Sequence, residues 1–496
     1  MSDKSNFSCT NYKNLTLLSS LDESIAAIKK ICGETSDLLV NEVEISGISC
    51  ALIVFEGMIS TSTITQLILH PLMYLDIGEA SSEKLFTHIR DKMLLTVDRN
   101  LPEEYGDVIR LLMSGFAVLL IDGCKTAFAF GVQGYDKRGI SEPNGEGNVK
   151  GSHEGFVEVV RTNMSLVRRR MKSPALQFRL FPIGKKSRTD VIICYMADRV
   201  PEKLIRRLKA RLLGIELESI LGSGYIEPFI EKNGGSFFSG VSTTERPDIL
   251  CAKLIEGRIG LMIEGTPYAL VIPYLFIENF QTLDDYNSRP YYAVFIRYIK
   301  YLAFFLSVFL PAVYLSAATF HPEMLNLSML IRLSSEEQTA PMPLMFETIL
   351  VLLMYEIIRE AGLRLPQNVG GAVSIVGGLI IGDAAVKSGL ISTPLLIAVA
   401  LSVTASFVVP NLNQQITVLR LIFVIAGGVS GLFGIALLTA PLIVDICSVE
   451  CFGAPMMSPL SPFTSSAMGD VLTRLGFKQM GVRDMTVEKL NGVDME

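Results

Sequence analysis

The sequence predicts a two-part N-terminal region of α/β or α+β architecture, followed by an α-helical integral membrane domain of about four to five helices. The mean hydropathy of +0.41 over 496 residues is high for a protein that is soluble throughout. Charge is also unevenly spread, because 16 of the 160 residues at 291–450 are charged, against 78 of the other 336. We therefore predict a first subdomain at 1–175, a second at 176–290, a transmembrane domain at 291–450 and a C-terminal tail at 451–496.

The first subdomain contains apolar runs of strand length between amphipathic stretches of helix length, which is typical of α/β and α+β domains. Residues 48–55 (ISCALIVF) are predicted to form a strand. Residues 116–121 and 125–130 are predicted to pair as a hairpin across Asp122-Gly123-Cys124.

The second subdomain has a similar composition. Residues 190–196 predict a strand, and Pro201 opens a helix whose apolar positions fall on one face. Residues 258–263 and 268–272 predict a second hairpin.

Two basic clusters allow two interpretations each. They either bind anionic headgroups or an acidic partner, or they form solvated helix faces. The clusters are Arg168, Arg169, Arg170 and Lys172, and Lys203, Arg206, Arg207, Lys209 and Arg211.

No motif indicates an enzyme, a cofactor site or nucleic-acid binding. The net charge is -6, whereas phosphate binding requires a basic excess. The signatures of phosphate loops, zinc peptidases and serine hydrolases are missing from the sequence. Cys447 and Cys451 could share a helix face, but the histidines are distant in sequence, so we expect no metal site. The acidic pairs Asp284-Asp285 and Glu336-Glu337 are expected in loops, solvated by water.

Residues 301–320 are free of charge for twenty positions, which is enough to cross the apolar core of a bilayer once. Arg297 and Lys300 precede this run, so the positive-inside rule predicts a cytoplasmic N-terminal region. A return span is predicted at 341–358, where Glu347 and Glu356 should face protein or water rather than lipid. Further spans are predicted at 390–409 and 417–445.

The stretch from 365 to 387 has a different pattern. Small residues recur every fourth position, forming a strip where another helix could approach closely: Gly370, Ser374, Gly378 and Gly382. The opposite face is apolar until it ends in an acid, and it consists of Ala372, Val376, Leu379, Ile380 and Asp383. Spacing alone is compatible with a packing helix, or with a pore-lining helix at 367–386 whose Asp383 ring favours cations. A second small strip at 427–434 is typical of helix packing.

The number of crossings determines the side of the C-terminus. Five crossings place it outside, whereas four crossings plus a re-entrant helix at 367–386 place it inside. The basic residues of the tail favour the cytoplasmic side.

Several motifs in order along the chain resemble those of the A subunits of GerA-type spore germinant receptors. They are LLIDG at 119–123, SEPNGEG at 141–147, KGSHEGFVE at 150–158, RTNMSLVRRR at 161–170, TERPD at 244–248, EGR at 256–258, REAGLRLPQ at 359–367, IVGGLIIGDAAVKSGLIS at 375–392 and SFVVP at 406–410. The resemblance covers about residues 110–460. It departs from the family pattern at 151–156, at 233–238 and at Asp383, where many relatives carry Gln.

The resemblance implies a non-enzymatic subunit of a nutrient-gated ion channel in the spore inner membrane, with its N-terminal domain in the spore core. It implies a homo-oligomeric ring, a pentamer, around a pore that releases monovalent cations at the start of germination. A transporter-like B subunit, a C lipoprotein and membrane lipid are the implied partners. The family's pore segment matches 365–387, which favours the pore-lining interpretation. Rival hypotheses are an accessory channel subunit assisting other receptors, a solute transporter using Glu347, Glu356 and Asp383, and a membrane-anchored scaffold.

Overall fold

The computed structural model describes residues 11–75, 81–91, 98–134, 143, 145–231, 235–339, 341–365, 380–480 and 486–495. The side chains of residues 329, 332, 337–339, 380, 381, 383 and 480 lie outside this description. We call residues 11–289 the sheet region, residues 290–448 the helical bundle and residues 449–495 the C-terminal segment.

The first sheet has five antiparallel strands in the order β1-β2-β4-β5-β3. They are β1 Leu38–Ile45, β2 Ile48–Phe55, β3 Arg99–Asn100, β4 Phe116–Ile121 and β5 Phe128–Gly131, with helices α1 Leu21–Cys32, α2 Ser82–Asp91 and α3 Tyr105–Leu112. Helices α1 and α3 cover the face that carries Ile53 and Leu120. Helix α2 and a helical segment at 61–73 cover the face that carries Leu52 and Leu119. Successive side chains of a strand point to opposite faces, so a sheet covered on both sides needs continuous apolar runs such as β2.

The second sheet has five antiparallel strands in the order β6-β7-β9-β10-β8. They are β6 Leu176–Ile183, β7 Thr189–Met196, β8 Ser242–Thr244, β9 Ile259–Ile263 and β10 Ala269–Ile272, with helices α4 Val160–Arg170, α5 Glu202–Leu213 and α6 Pro247–Ile255. Helices α4 and α6 cover the face that carries Cys194 and Met262. Helix α5 covers the face that carries Ile193 and Leu261. Short helical turns follow at Ser223–Tyr225, Glu227–Ile230, Phe276–Phe280 and Leu283–Asn287.

The two sheets repeat one topology. Each follows the order helix, two strands, helix, strand, helix, two strands, and each places its third strand at the edge beside its fifth. The helices correspond in pairs, α1 with α4, α2 with α5 and α3 with α6, on matching faces. The predicted strands are observed, and since every named pair is antiparallel, the α+β alternative is the one found. The strand predicted at 125–130 begins only at Phe128.

Arg168 joins the two halves of the sheet region, and neither predicted interpretation of its basic cluster fits it. Its side chain is 1% exposed, and its Nε and Nη2 donate to the two carboxylate oxygens of Asp37 at 2.9 and 3.0 Å. The guanidinium carbon also lies 4.9 Å from the ring centroids of Phe55 and Phe178. A buried bidentate pair of this kind fixes the relative position of the two sheets.

Four further residues of the basic clusters differ in their surroundings. Arg169 and Arg170 form ion pairs with Glu154 inside the sheet region. On α5, by contrast, Arg206 and Arg207 are exposed, as expected for a solvated helix face.

The helical bundle contains α7 Pro290–Phe320, α8 Leu327–Thr339, α9 Leu344–Arg364, α10 Thr393–Ser406 and α11 Asn413–Ser448, with short helical turns at Pro322–Met324, Ile380–Ala385 and Pro410–Leu412. Among the residues that the structure describes, two stretches are long and apolar enough by length and composition to cross a membrane, Pro290–Phe320 and Pro410–Ser448. The charge-free run at 301–320 lies inside α7. The total of four to five spanning helices stays a prediction.

Helix α11 is a hairpin of two helices, so the prediction of one span at 417–445 is wrong. Gly431 has φ 66° and ψ -151°, which breaks the helix. A Cβ added to Gly427 would lie 3.4 Å from Ile435 Cδ1, and one added to Gly434 would lie 2.5 Å from the carbonyl oxygen of Ala426. Residues 427 and 435 of a continuous helix would be about 12 Å apart along the axis. The segments 413–430 and 432–448 therefore run antiparallel, and the small residues allow their close approach.

One end of the bundle faces the sheet region, and we call it the sheet end. Near the start of α7, Arg297 and Lys300 contact Asp285 of the sheet region. At the opposite end, which we call the far end, Phe320 packs against the turn at Gly431.

The other helices can be oriented by the same reasoning. Helix α9 starts towards the far end, because Met345 contacts Gly428, and it ends towards the sheet end, where Arg359 donates to Thr417 Oγ1 at 3.1 Å. The segment 432–448 returns to the sheet end, because Asp445 accepts hydrogen bonds from Ser236 Oγ at 2.9 Å and from the Phe237 amide at 3.2 Å.

The C-terminal segment returns to the second sheet. It begins with the hairpin β11 Glu450–Cys451 and β12 Ala454–Pro455, and continues through short helical turns at Ala467–Asp470, Phe477–Met480 and Val487–Lys489. Phe452, Val471, Val487, Leu490 and Met495 join the core under α5. Both ends of the described chain therefore lie at the sheet end of the bundle. The predicted shared helix face of Cys447 and Cys451 is wrong, because α11 ends at Ser448 and Cys451 lies in a strand.

Candidate functional site in the bundle and at its junction with the sheets

Most of the predicted pore and packing residues lie outside the described part of the chain, namely Val376 and Leu379 together with Gly370, Ser374 and Gly378. Ile380 and Asp383 belong to the short helix Ile380–Ala385, of which the backbone is described at both positions. Gly382 is half-buried, and a Cβ added there would meet no described atom of this chain within 4 Å. The pore-lining and packing roles of these residues stay predictions.

Glu347 lies inside the bundle at the far end, as an acid that avoids lipid should. It is 1% exposed, and its Oε1 accepts a hydrogen bond from the backbone amide of Ser392 at 2.5 Å. Ser392 is the N-cap residue of α10, and the next amide, that of Thr393, donates to Glu336 at 2.9 Å. Two carboxylates thus meet the positive end of one helix, where anions are stabilised. Glu336 lies in α8, so the prediction that it lies in a loop is wrong.

Glu356 is engaged at the sheet end. It forms an ion pair with Arg359 at 2.6 Å and accepts a hydrogen bond from Thr417 at 3.4 Å. Glu347 and Glu356 are nine residues apart on α9, which is about 14 Å along a helix. Among the described residues the two acids therefore do not form one solute site, as the transporter hypothesis requires.

A polar contact deep in the bundle arises from a proline. Pro311 has no amide hydrogen, so the carbonyl of Ser307, four residues earlier in α7, has no donor within its own helix. Arg420 Nε and Ser402 Oγ both donate to this carbonyl oxygen at 2.8 Å. Arg420 is 2% exposed. Three helices are therefore joined through one carbonyl group that the sequence frees from the regular helix pattern.

Sequence reasoning missed this contact, although two signals were present. Pro311 stands inside a charge-free helix, where a proline must leave one carbonyl unpaired. Arg420 is the single charged residue between 388 and 444. A lone charge in such a run has to face a polar partner inside the protein.

A buried ion-pair cluster clamps the start of α7 to the sheet region and the C-terminal segment. Arg297 is fully buried, lies 3.1 Å from Asp285 and 2.9 Å from Asp470, and donates to the backbone carbonyl of Asp470 at 2.7 Å. Lys300 lies 3.1 Å from the second oxygen of Asp285. The prediction that Asp285 is a solvated loop residue is wrong. It is 3% exposed because it neutralises two cations of the first bundle helix.

Asp470 has a second partner in this cluster. Burial, reinforced by the Asp470 carboxylate, raises the pKa of the Tyr286 hydroxyl well above its ordinary value. The hydroxyl therefore stays protonated and donates to Asp470 Oδ2 at 2.7 Å. Burial also raises the pKa of Asp470, although Arg297 opposes this effect.

A cavity separates the second sheet from the connection between α10 and α11. Its volume is about 410 Å³, and its walls include Glu146, Arg246, Lys253, Glu278 and Tyr286 from the sheet region and Pro410 and Asn411 from the bundle. A neighbouring cavity of about 490 Å³ shares Glu146, Pro410 and Asn411. The connection between α10 and α11 is thus separated from the sheet region, in part, by these cavities.

Comparison with known proteins identifies the family of this chain over most of its length. The family model described as Bacillus/Clostridium GerA spore germination protein matches residues 26–486. The chain belongs to the GerA family. The resemblance predicted from the sequence motifs is thereby confirmed.

Individual GerA relatives match over most of their length. Spore germination protein KA of Bacillus subtilis (strain 168) is 37% identical over 461 residues, which cover 92% of this chain and 84% of that protein. The uncharacterized membrane protein YfkQ of the same strain is 33% identical over 476 residues, covering 95% and 92%. Spore germination protein GerLA of Bacillus cereus is 29% identical over 454 residues, covering 91% and 92%.

One solved structure is also similar to this GerA chain. It is the crystal structure of the N-terminal domain of the A subunit of the Bacillus megaterium spore germinant receptor GerK3. The identity is 28% and the TM-score 0.42, with 53% of this chain and 97% of that chain covered.

Proposed function

We propose that this GerA-family chain is the A subunit of a nutrient germinant receptor, and that several copies of it form an ion channel that releases monovalent cations at the start of germination. The observation that carries the proposal is the inside-out polarity of the bundle. Large apolar side chains such as Phe305, Phe433 and Val444 are exposed on its helices, whereas Arg420 and Glu347 are buried inside. A bundle with this polarity is stable when lipid or further copies cover its exterior.

The channel would lie in the spore inner membrane, with the sheet region in the spore core. Arg297 and Lys300 at the start of α7 support this orientation through the positive-inside rule. The sheet region and the C-terminal segment meet at one end of the bundle, which supports an even number of crossings.

The pore would be formed by the stretch at 365–387 from each copy. Leu365 follows α9 at the sheet end, and Ser392 lies beside Glu347 at the far end, so the described flanks of this stretch lie at opposite ends of the bundle. Val376, Leu379, Ile380 and Asp383 would line the pore, and Gly370, Ser374, Gly378 and Gly382 would let neighbouring copies pack closely. The ring would be a pentamer, assisted by a transporter-like B subunit and a C lipoprotein, and it would catalyse no reaction.

Gating would reach the pore through the junction of sheets and bundle. Asp285 and Asp470 hold the start of α7, and Asp445 holds the end of α11. A displacement of the second sheet would therefore move both helices together, while the cavity beside Pro410 and Asn411 leaves the adjoining connection room to follow.

The test is ion flux through the full chain in liposomes and potassium retention by dormant spores. We expect Val376→Ala and Ile380→Ala to widen the constriction and to raise basal cation leak severalfold, because a less apolar and wider pore rewets. Val429→Ala is the matched control, because Val429 is exposed on the outside of the bundle and its truncation should leave the leak unchanged. Unchanged leak in both pore variants would contradict the proposal.

A further inference from the structure

Two buried oxygen atoms at the far end of the bundle lack a hydrogen-bond partner. Glu347 Oε1 accepts the Ser392 amide proton, but Glu347 Oε2 has no partner in the part of the chain that the structure describes. Ser392 Oγ has none there either. Both residues are more than nine-tenths buried. The unpaired hydroxyl belongs to the same residue as the amide that donates to Glu347 Oε1.

Helix capping accounts for only half of this arrangement. A carboxylate at a helix N-terminus gains from the amide it accepts and from the helix dipole. That role uses Oε1 alone, and Glu336 already serves the next amide of the same helix. A buried carboxylate oxygen without a donor costs free energy, as does an unpaired hydroxyl oxygen. A ligand that accepts electron pairs from both would remove both costs.

The chemistry of the two atoms identifies the class of that ligand. Carboxylate and hydroxyl oxygens are ligands for hard cations. Glu347 Oε2 is the carboxylate oxygen left unpaired there, since Glu336 Oε2 accepts the Thr393 amide, and a single carboxylate balances one positive charge. The described residues contain no group of three or more His, Cys, Asp or Glu that could hold a metal ion through several charged ligands. We propose that Glu347 Oε2 and Ser392 Oγ bind an alkali-metal cation, Na⁺ or K⁺, at the far end of the bundle. The proposal rests on the proposed function in one respect, since the bound ion belongs to the class of ion that the channel would conduct.

The experiment measures binding without requiring conduction. The melting temperature of the full chain in detergent is followed by circular dichroism, because the sequence has no tryptophan. KCl and NaCl are each compared with N-methylglucamine chloride at equal ionic strength. A ligand that binds only the folded state raises Tm, and we expect a rise of about 2–4 °C with at least one of the two ions.

Ser392→Ala distinguishes cation binding from capping. This variant keeps the backbone amide that Glu347 accepts, and the Ser392 side chain makes no capping hydrogen bond. We expect it to reduce the cation-dependent rise by half or more, and Glu347→Gln to abolish the rise. Glu360→Gln is the matched control on the same helix, because Glu360 is exposed and pairs with Arg364. It should retain the full effect.

Three results would overturn the proposal. They are equal Tm in all three salts for the unmodified chain, a cation effect that Ser392→Ala leaves intact, and a cation effect that Glu347→Gln leaves intact. Absence of conduction in liposomes, with a cation effect that Glu347→Gln abolishes, would contradict the channel and leave this binding site standing.

Discussion

Glu278 is the residue whose charge should dominate the acid stability of the second sheet. It lies 2.6 Å from Lys253 and 2.6 Å from Arg258, and it accepts the Leu275 amide proton at 2.9 Å. Burial alone would raise its pKa, but the charges of Arg258 and Lys253 outweigh burial and hold the pKa below its ordinary value of 4.5. A carboxyl group with a lowered folded-state pKa stabilises the fold above its unfolded-state pKa. That contribution is lost as the pH falls through the folded-state value.

We therefore expect the Tm of the unmodified chain to fall more steeply below about pH 5 than that of Glu278→Gln, because the lowered pKa of Glu278 confines the loss to the range under its unfolded-state pKa. At neutral pH the variant should be less stable by about 2–3 kcal/mol, because the largely buried Lys253 and Arg258 lose one carboxylate partner and keep Glu256. Glu216→Gln, which removes only an exposed pair with Lys185, should keep the slope of the unmodified chain. Parallel pH profiles for Glu278→Gln and the unmodified chain would refute this account.

At the scale of single residues, the sequence shows clearly where the apolar runs lie. It shows less clearly which acidic residues form buried contacts. The prediction that Glu347 avoids lipid agrees with its burial. Asp285 was expected in water because it follows another acid in a polar stretch. Its cations, Arg297 and Lys300, are 12 and 15 positions away and reach it only once α7 has turned them to one side. Pairing at such separations depends on the fold and not on local pattern.

At the scale of elements, the turn at Gly431 is the most restrictive feature of the bundle. Its φ of 66° with ψ of -151° lies in a region that only glycine enters readily, and an added Cβ would lie 3.1 Å from Phe320. We expect Gly431→Ala to destabilise the full chain by about 1–3 kcal/mol, measured as a lower Tm by circular dichroism.

Gly428→Ala is the control for that substitution. Its added Cβ would lie 2.7 Å from the flexible Met345 side chain and 3.2 Å from Leu315 Cδ2, its backbone is not in the left-handed region, and alanine favours a helix over glycine. Equal melting temperatures for the two variants would mean that the helix is continuous through residue 431.

The elements themselves were largely predictable, and their limits less so. The strands at 48–55, 116–121 and 190–196 were found because buried strands need unbroken apolar runs. The reversal inside α11 was missed because both arms of the hairpin are equally apolar. The sequence does not distinguish a glycine at a turn from a glycine at a packing contact. The apolar run 421–444 therefore does not show where the first helix ends and the second begins.

At the scale of the whole molecule, the described contacts place the sheet region and the C-terminal segment together, opposite the connection after α7. We expect thiol labelling in sealed inside-out vesicles to modify Lys185→Cys and Lys478→Cys from the same side, and Glu323→Cys only from the other. All three positions are exposed. The background would carry Ser at Cys9 and at the exposed Cys447. Labelling of Lys478→Cys from the side that modifies Glu323→Cys would contradict the shared location of the two regions.

The repeated topology of the two sheets is the whole-molecule feature that sequence reasoning overlooked. Corresponding strands β2 and β7 read ISCALIVF and TDVIICYM. What repeats is the order of apolar runs and connections, and different side chains supply it. Residue similarity between the corresponding strands is therefore a weak indicator of the repeat, whereas the shared strand order shows it directly.

The C-terminal segment has a consequence for how the protein is made. Val487, Leu490 and Met495 complete the hydrophobic core under α5, which was synthesised some 280 residues earlier. Residues 487–495 must therefore be translated, after every bundle helix, before this core can be completed. A chain cut short before residue 487 would keep its bundle helices but lack these core residues, which would leave the second sheet open to proteases.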